Sequence, residues 1–525
     1  MRTTQRRQAA ILIVVLLIPF FLFSQILVRP SGFNLHLFDY QAVFDGKVKP
    51  YLTSHLSYEW RQSMPKGSND LLRSDLGDSW LRKNRLKFFP TLSATAYLNG
   101  GHVKREGAFV DIAPMINIFA RYKFLPTGRY SLIFWTRFEK HSVVSQSEIT
   151  DFSYDFNWQK EIGRRVYKGG DSTWIEYDIG DGGILFSYPN GEVTFAQSNP
   201  IWGPGYTGQL YLSDKAPSFV FLSFRHRFTE KWTFSYFHGS LNSTFRDSTH
   251  LELYPVKGGM PLVRKYIAAH RIDFLPRENV RIGFGESVVY GGRNVEMSYA
   301  LPFLPYWSAQ HDLSDSDNLQ MFLDFEIIRK GIGRFYGSVY IDEWDFVTTF
   351  NKEESHNWWA YQAGITYDLP ILSYWNSLLR FEMTHLTPYV YVHRSKINTF
   401  QHHGHYLGFW SGPNSESIFL AFEGSPYQGW WIQLYGVVVR RGEVNDYTIE
   451  KQYKPDKVPF LYRTYEGDAE MRTLLGFRGE LLLLSFIRVS FNLYWDKWLQ
   501  RLNLDNGERT ESQKFDGILQ FSIGL

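Results

Sequence analysis

The stretch Trp202-Gly203-Pro204-Gly205-Tyr206-Thr207-Gly208 sets an indole and a phenol around a tight Gly-Pro-Gly turn. Sugar rings present apolar C–H faces and polar edges, so a site for them pairs aromatic platforms with carboxylates and amides. Trp202 and Tyr206 are candidate platforms, and Asp214, Glu286, Arg293, Asn318, Asp324 and Asp342 are polar groups of the right types for a polysaccharide. The competing reading is structural, because Gly/Pro turns are loop builders first. For any one of the eight, a structural role outweighs a ligand contact, so they carry weight as a set.

Other chemistry fits less well. Gln401-His402-His403-Gly404-His405 gathers imidazoles, but without the i, i+4 spacing of a helix-borne metal site, and it reads as a polar loop. The oxygen donors of Asp312–Asn318 suit calcium, yet the Gly and terminal Glu of an EF-hand loop are missing. Gly283-Phe284-Gly285-Glu286-Ser287 lacks the Gly-x-Ser-x-Gly spacing of a nucleophile elbow. No catalytic residue, metal or cofactor is therefore assigned. With 56 basic and 53 acidic side chains, a net charge of +3 gives no footprint for nucleic acid.

The elements that would position these residues are strands. Ile116, Ile118, Ala120, Tyr122 and Phe124 share one face while Asn117, Arg121 and Lys123 take the other. The same alternation recurs in Trp232–Tyr236, Phe335–Asp342, Tyr361–Asp368 and Ile487–Trp495. Aromatic residues reach 18% of the 525-residue chain, more than a soluble core needs and in keeping with the girdles of a transmembrane barrel. Phe124, Tyr236, Tyr367 and Trp495 are read as strand-end belt residues. Ile518 to Leu525 alternates to the last residue and reads as a closing strand. At roughly 25–30 residues per strand plus loop, the fold class is all-β: a large antiparallel transmembrane barrel of about 16–18 strands. Inside it, the Trp202 turn would fold into the lumen, and paired Asp and Arg would brace the wall.

The N-terminus reads differently. Arg2, Arg6 and Arg7 precede the apolar run Ala9–Phe23, too short for a spanning helix, and polarity returns at Ser24 and Gln25. Residues 1–24 are accordingly expected to be a signal peptide, with a retained anchor as the alternative. Residues 25–87, where Leu72, Leu76 and Trp80 fall at helical spacing, form either a small periplasmic plug or the first hairpin. The barrel is assigned to 88–525. Without cysteine the chain is no lipoprotein and holds no disulfide.

Several ordered motifs add a resemblance. The Trp202–Gly208 turn is followed by Leu210-Tyr211-Leu212-Ser213-Asp214-Lys215-Ala216-Pro217 and Ala269-His270-Arg271-Ile272. Ile282–Arg293, Leu301-Pro302-Phe303, Asp317-Asn318, Asp324 and Tyr336–Glu343 come next, then His405-Tyr406-Leu407-Gly408 and Gly412-Pro413-Asn414-Ser415. Over Phe89 to Phe422 this order resembles the capsule-assembly outer-membrane proteins of the Wzi type. The resemblance implies a monomeric barrel lectin, closed below by a helical plug, that holds capsular or related surface polysaccharide at the outer membrane without catalysis. The N-terminal helical part is abbreviated relative to that pattern. Expected partners are the polysaccharide, outer-membrane lipid and, during biogenesis, the barrel-assembly machinery. A porin or solute channel is the alternative function, and a barrel enzyme acting on lipid or glycan a third. The mature protein should begin near Gln25 and run with outer membranes as a heat-modifiable band. Recovery in the soluble periplasmic fraction without detergent would remove the barrel reading.

Overall fold

Period-two alternation puts one side of each strand in lipid and the other in the interior, and pairing of neighbours then satisfies the backbone. The computed structural model describes residues 86–98, 108–124, 130–145, 173–249, 260–344, 357–427, 429–442, 469–483, 487–502 and 508–524. Residues 1–85, which hold the expected signal peptide and nearly all of the expected plug segment, lie outside them.

The wall runs from β1 (Leu86–Leu98), β2 (Ala108–Lys123), β3 (Ser131–Ser145) and β4 (Trp174–Tyr188) to the shorter β5 (Gly191–Ser198) and β6 (Phe219–Arg227). It continues through β7 (Trp232–Arg246), β8 (Leu262–Arg277), β9 (Val280–Gly291), β10 (Asn318–Arg329), β11 (Gly333–Glu343), β12 (Trp358–Asp368) and β13 (Leu378–Leu386). After a small interior hairpin, β14 (Gln401–His402) and β15 (His405–Tyr406), the wall resumes with β16 (Ser415–Gly424), β17 (Trp430–Arg441), β18 (Glu470–Leu483), β19 (Ile487–Leu502) and β20 (Arg509–Gly524). The 18-stranded sheet is antiparallel and closed, because β1 pairs with both β2 and β20. Thr91 stands opposite Gly524 and Leu98 opposite Gly517, so the C-terminal alternation is the closing strand. No helix of the described residues is long and apolar enough to cross a membrane; the strands do so.

Connections alternate in length. Those at 189–190, 228–231, 278–279 and 330–332 are tight, whereas 199–218, 292–317 and 387–414 are long. Outer-membrane barrels keep short turns on the periplasmic side and long loops outside, which orients the molecule. Outward residues such as Ile116, Tyr361, Ile365, Leu493 and Leu519 are exposed and form the lipid-facing band. The aromatic belt differs in part from the expected one. Phe124 and Tyr367 do lie at strand ends on the tight-turn rim, Tyr367 opposite Gly333 and Phe124 against Phe186, but Tyr236 and Trp495 lie inside β7 and β19, which run longer than the alternating cores suggested. The tight-turn rim is instead dressed by contacts such as Trp232 on Phe274, 4.3 Å between centroids, and Phe124 on Phe186 at 6.1 Å.

Removing Ile518–Leu525 leaves edges of β1 and β19 unpaired in lipid, where each unsatisfied backbone group costs several kcal/mol. The truncated chain should yield no heat-modifiable band and no surface-exposed barrel. Normal surface exposure would place the closing strand elsewhere.

Candidate functional site

Two long connections turn inward. The first, 199–218, leaves the wall early because β5 and β6 are short. Its neck is closed by a two-way bridge in which the Trp202 amide donates to the Leu212 carbonyl at 3.0 Å. The Gly-Pro-Gly turn then crosses the lumen. Gly203 has φ +130°, open to glycine alone, and a Cβ on Gly205 would fall 2.2 Å from the Gly208 carbonyl. On the far wall Arg334 donates to the Pro204 carbonyl at 2.7 Å and Gln362 to the Gly208 carbonyl at 2.9 Å. Glu382 collects the Tyr206 amide at 2.6 Å, the Thr207 amide at 3.0 Å, the Thr207 hydroxyl and the Tyr336 hydroxyl at 2.5 Å. The Tyr206 ring lies 4.2 Å from the Arg380 guanidinium, and its hydroxyl accepts from Gln433 at 2.9 Å. Burial, with the nearby Glu423 carboxylate, pushes that hydroxyl up to about 12, so it stays neutral.

The second connection, 387–414, lies on the first. The Tyr391 hydroxyl donates to the Leu210 carbonyl and accepts the Phe409 amide at 3.0 Å, while Ser213 Oγ donates to the Gly408 carbonyl at 2.5 Å. Lys265 Nζ reaches the Thr399 carbonyl at 2.6 Å. Between the loops and the wall sits an aromatic core that includes Trp202, Tyr211, Phe322, Tyr340, Tyr391 and Phe400. Tyr211 stacks on Phe322 at 3.8 Å. The histidine run is part of this packing. His402 Nδ1 accepts the Asn242 amide at 2.9 Å, and burial pushes the ring down to about 2, leaving it uncharged. Among the described residues no group of His, Asp and Glu gathers in metal-binding geometry.

The eight predicted residues separate into two places. Trp202, Tyr206, Asn318, Asp324 and Asp342 all support the inward loops. Trp202 is a packing residue and not an open platform: only 7% of it is exposed, with Tyr211 stacked at 5.8 Å, Phe237 edge-on at 5.1 Å and the Arg271 guanidinium 5.7 Å above the ring. Asp324 and Asp273 take that guanidinium between them at 3.3 and 2.5 Å. Asp342 accepts the Tyr391 amide, and Asn318 donates to the Asn398 carbonyl at 2.9 Å. Asp214 pairs with its neighbour Lys215 at 2.9 Å. Glu286 and Arg293 belong elsewhere. Glu286 stands opposite His270 and Met321 on the outward face of β9, and Arg293 clamps Asp317 with two bonds of 2.8 and 2.6 Å across the base of the 292–317 connection.

Sequence reasoning missed Glu382, Arg380, Glu423 and Gln433, which hold the loop tip. For Arg380 and Glu382 the signal was present in β13, where they and Thr384 line one face of an otherwise mostly apolar run. The interior also contains the expected ladder of ion pairs: Arg281 and Arg334 flank Glu326, Arg380 pairs with Glu423 at 2.6 Å, and Arg472 with Asp496 at 2.8 Å.

A closed barrel with an apolar outer band and a polar, braced interior defines an integral outer-membrane β-barrel of a Gram-negative envelope. A family model described as capsule assembly protein Wzi matches residues 176–460, more than half of the chain. The chain belongs to that family. A solved structure of Wzi from Escherichia coli, described as an outer-membrane carbohydrate-binding β-barrel involved in group 1 capsule assembly, aligns at a TM-score of 0.53 and 13% identity. The alignment covers 94% of this chain and 98% of that one. OccK7 (OpdD) from Pseudomonas aeruginosa aligns at a TM-score of 0.44 and 9% identity, over 84% of this chain and 99% of that one. Among functionally curated proteins, none matches.

Trp202→Ala should act on folding. Deleting a buried indole costs about 3–5 kcal/mol where the site cannot collapse. The variant should unfold at clearly lower temperature in detergent, while polysaccharide binding per folded molecule is unchanged. Lost binding at unchanged stability would return Trp202 to the role of a stacking platform.

Proposed function

We propose that this barrel holds capsular or another surface polysaccharide at the cell surface and assists its attachment or assembly, without catalysing a reaction. Family membership supports the reading, and the Escherichia coli structure named above is described as carbohydrate-binding. The observation that carries it against the channel alternative is the apolar core between the inward loops and the wall. A diffusion pore needs a continuous water-filled lumen, and packed aromatic side chains exclude water. In this proposal Trp202, Tyr206, Asp214, Asn318, Asp324 and Asp342 are positioning residues that brace the inward loops, and Glu286 and Arg293 hold the separate 292–317 connection. The protein works as a monomer, embedded in outer-membrane lipid and inserted by the barrel-assembly machinery.

In planar bilayers the purified protein should pass no steady open-channel current, and the same preparation should co-sediment with polysaccharide from an encapsulated strain. Glu382→Ala, which removes the common acceptor of the loop tip, should raise current noise. Porin-like conductance steps in the unaltered protein, with no polysaccharide retained, would overturn the proposal in favour of a solute channel.

A further inference from the structure

The connection 292–317 does not turn inward. It folds back over the outside of the barrel against β7–β9, where Tyr299, Tyr306 and Ala309 pack on Ala268, Val288 and Tyr290. The small Ala268 side chain lets the strap lie close, and both Ala268 and Val288 are fully covered. Phe303 stacks on Phe234 at 4.5 Å, only two residues from Trp232 in the belt at the tight-turn rim. The strap therefore descends along the wall at membrane depth. From Met297 to Trp307 its other side is apolar as well, with Met297 72% exposed, Phe303 64% and Trp307 59%, while the exposed polar residues follow from Ser308 to Ser316 on the way back to β10. A segment apolar on both sides needs two apolar partners, and the wall supplies one.

We propose that the second partner is the acyl chains of membrane lipid, so that this extracellular connection is a lipid-embedded strap. Two further observations favour lipid. The exposed strap residues continue the established lipid-facing surface, since Ile272, Phe284 and Leu323 lie bare on the neighbouring outward positions of β8, β9 and β10. The strap also meets much of its backbone demand internally, as hydrocarbon requires of an irregular segment. Glu286 accepts the Tyr306 amide at 2.7 Å and the Trp307 amide at 3.4 Å, and His270 meets the carboxylate at 2.9 Å. The Glu296 amide donates to the Tyr290 hydroxyl at 3.1 Å and the Ala300 amide to the Met297 carbonyl at 3.1 Å. Pro302 and Pro305 have no amide hydrogen to satisfy. An outward carboxylate on a membrane wall is thereby explained: it is the acceptor for the α1 segment (Tyr306–Asp312) that seals over it.

The chain has no cysteine, so single spin labels can be placed without background. Met297→Cys and Phe303→Cys test the strap, Leu323→Cys marks the lipid-facing wall and Thr249→Cys the aqueous loops. In proteoliposomes the strap labels should match the wall label, open to oxygen and shielded severalfold from a water-soluble nickel complex relative to Thr249. Should Phe303→Cys fail to assemble, Leu301→Cys reports the same side of the strap. Nickel access equal to that at Thr249 overturns the proposal. So does shielding from both reagents with dipolar broadening between labels, which would mean that a second copy covers the strap.

Discussion

A strand in hydrocarbon has no water to accept or donate hydrogen bonds, so its backbone must find partners in neighbouring strands, all the way around. Pairing of β1 with β20 meets that demand and fixes the rest of the molecule. Closure at eighteen strands encloses an interior wider than wall side chains can fill, in contrast to small barrels packed by their own residues. The remaining space must hold water or folded chain. Here the short β5 and β6 release a loop low enough to cross the lumen, and the second loop caps it, so a substantial share is filled with folded chain.

Filling a lumen with loops brings polar backbone into a confined interior, and the wall answers with side chains aimed inward. Glu382 takes four donors from the loop tip and Tyr336. Such a carboxylate works only while its donors stay in place, because each hydrogen bond to a buried charge is worth about 1.5–3 kcal/mol. The arginine ladder obeys the same rule: Arg334 serves Glu326 and the Pro204 carbonyl together, tying wall charge to loop position. Apolar replacement of a buried ion pair is often neutral in stability, but it loses the direction each bond imposes on the loop.

Much of the wall was legible in the sequence because alternation is a local signal. Tyr361, Ile365 and Tyr367 face lipid and Gln362 and Thr366 the interior, as their spacing implies. The function of the Trp202 turn was half legible: its glycines announced a special backbone, but whether the indole met sugar or protein depended on Phe237, Phe322 and Arg271, which lie on other strands. Glu286 was placed among site residues on its type alone. Its outward direction follows from register with His270 and Met321, and the reason a carboxylate is tolerated there lies in α1, twenty residues further on. Pattern gives the face of a residue; only the fold gives what covers it.

The positions of the eight residues bear on how a lectin of this kind would work. Sugar contacts are individually weak, and a polymer is held by many of them at once. That advantage shrinks when each binding event must also order a loop, because immobilised side chains and backbone subtract from every contact. Internal bonds such as Asp342 to the Tyr391 amide, Asn318 to the Asn398 carbonyl and Arg293 to Asp317 meet the ordering cost during folding, before any ligand arrives. Asp342 and Asn318 can therefore matter to polysaccharide retention while never touching a sugar, because each fixes an inward loop before ligand arrives.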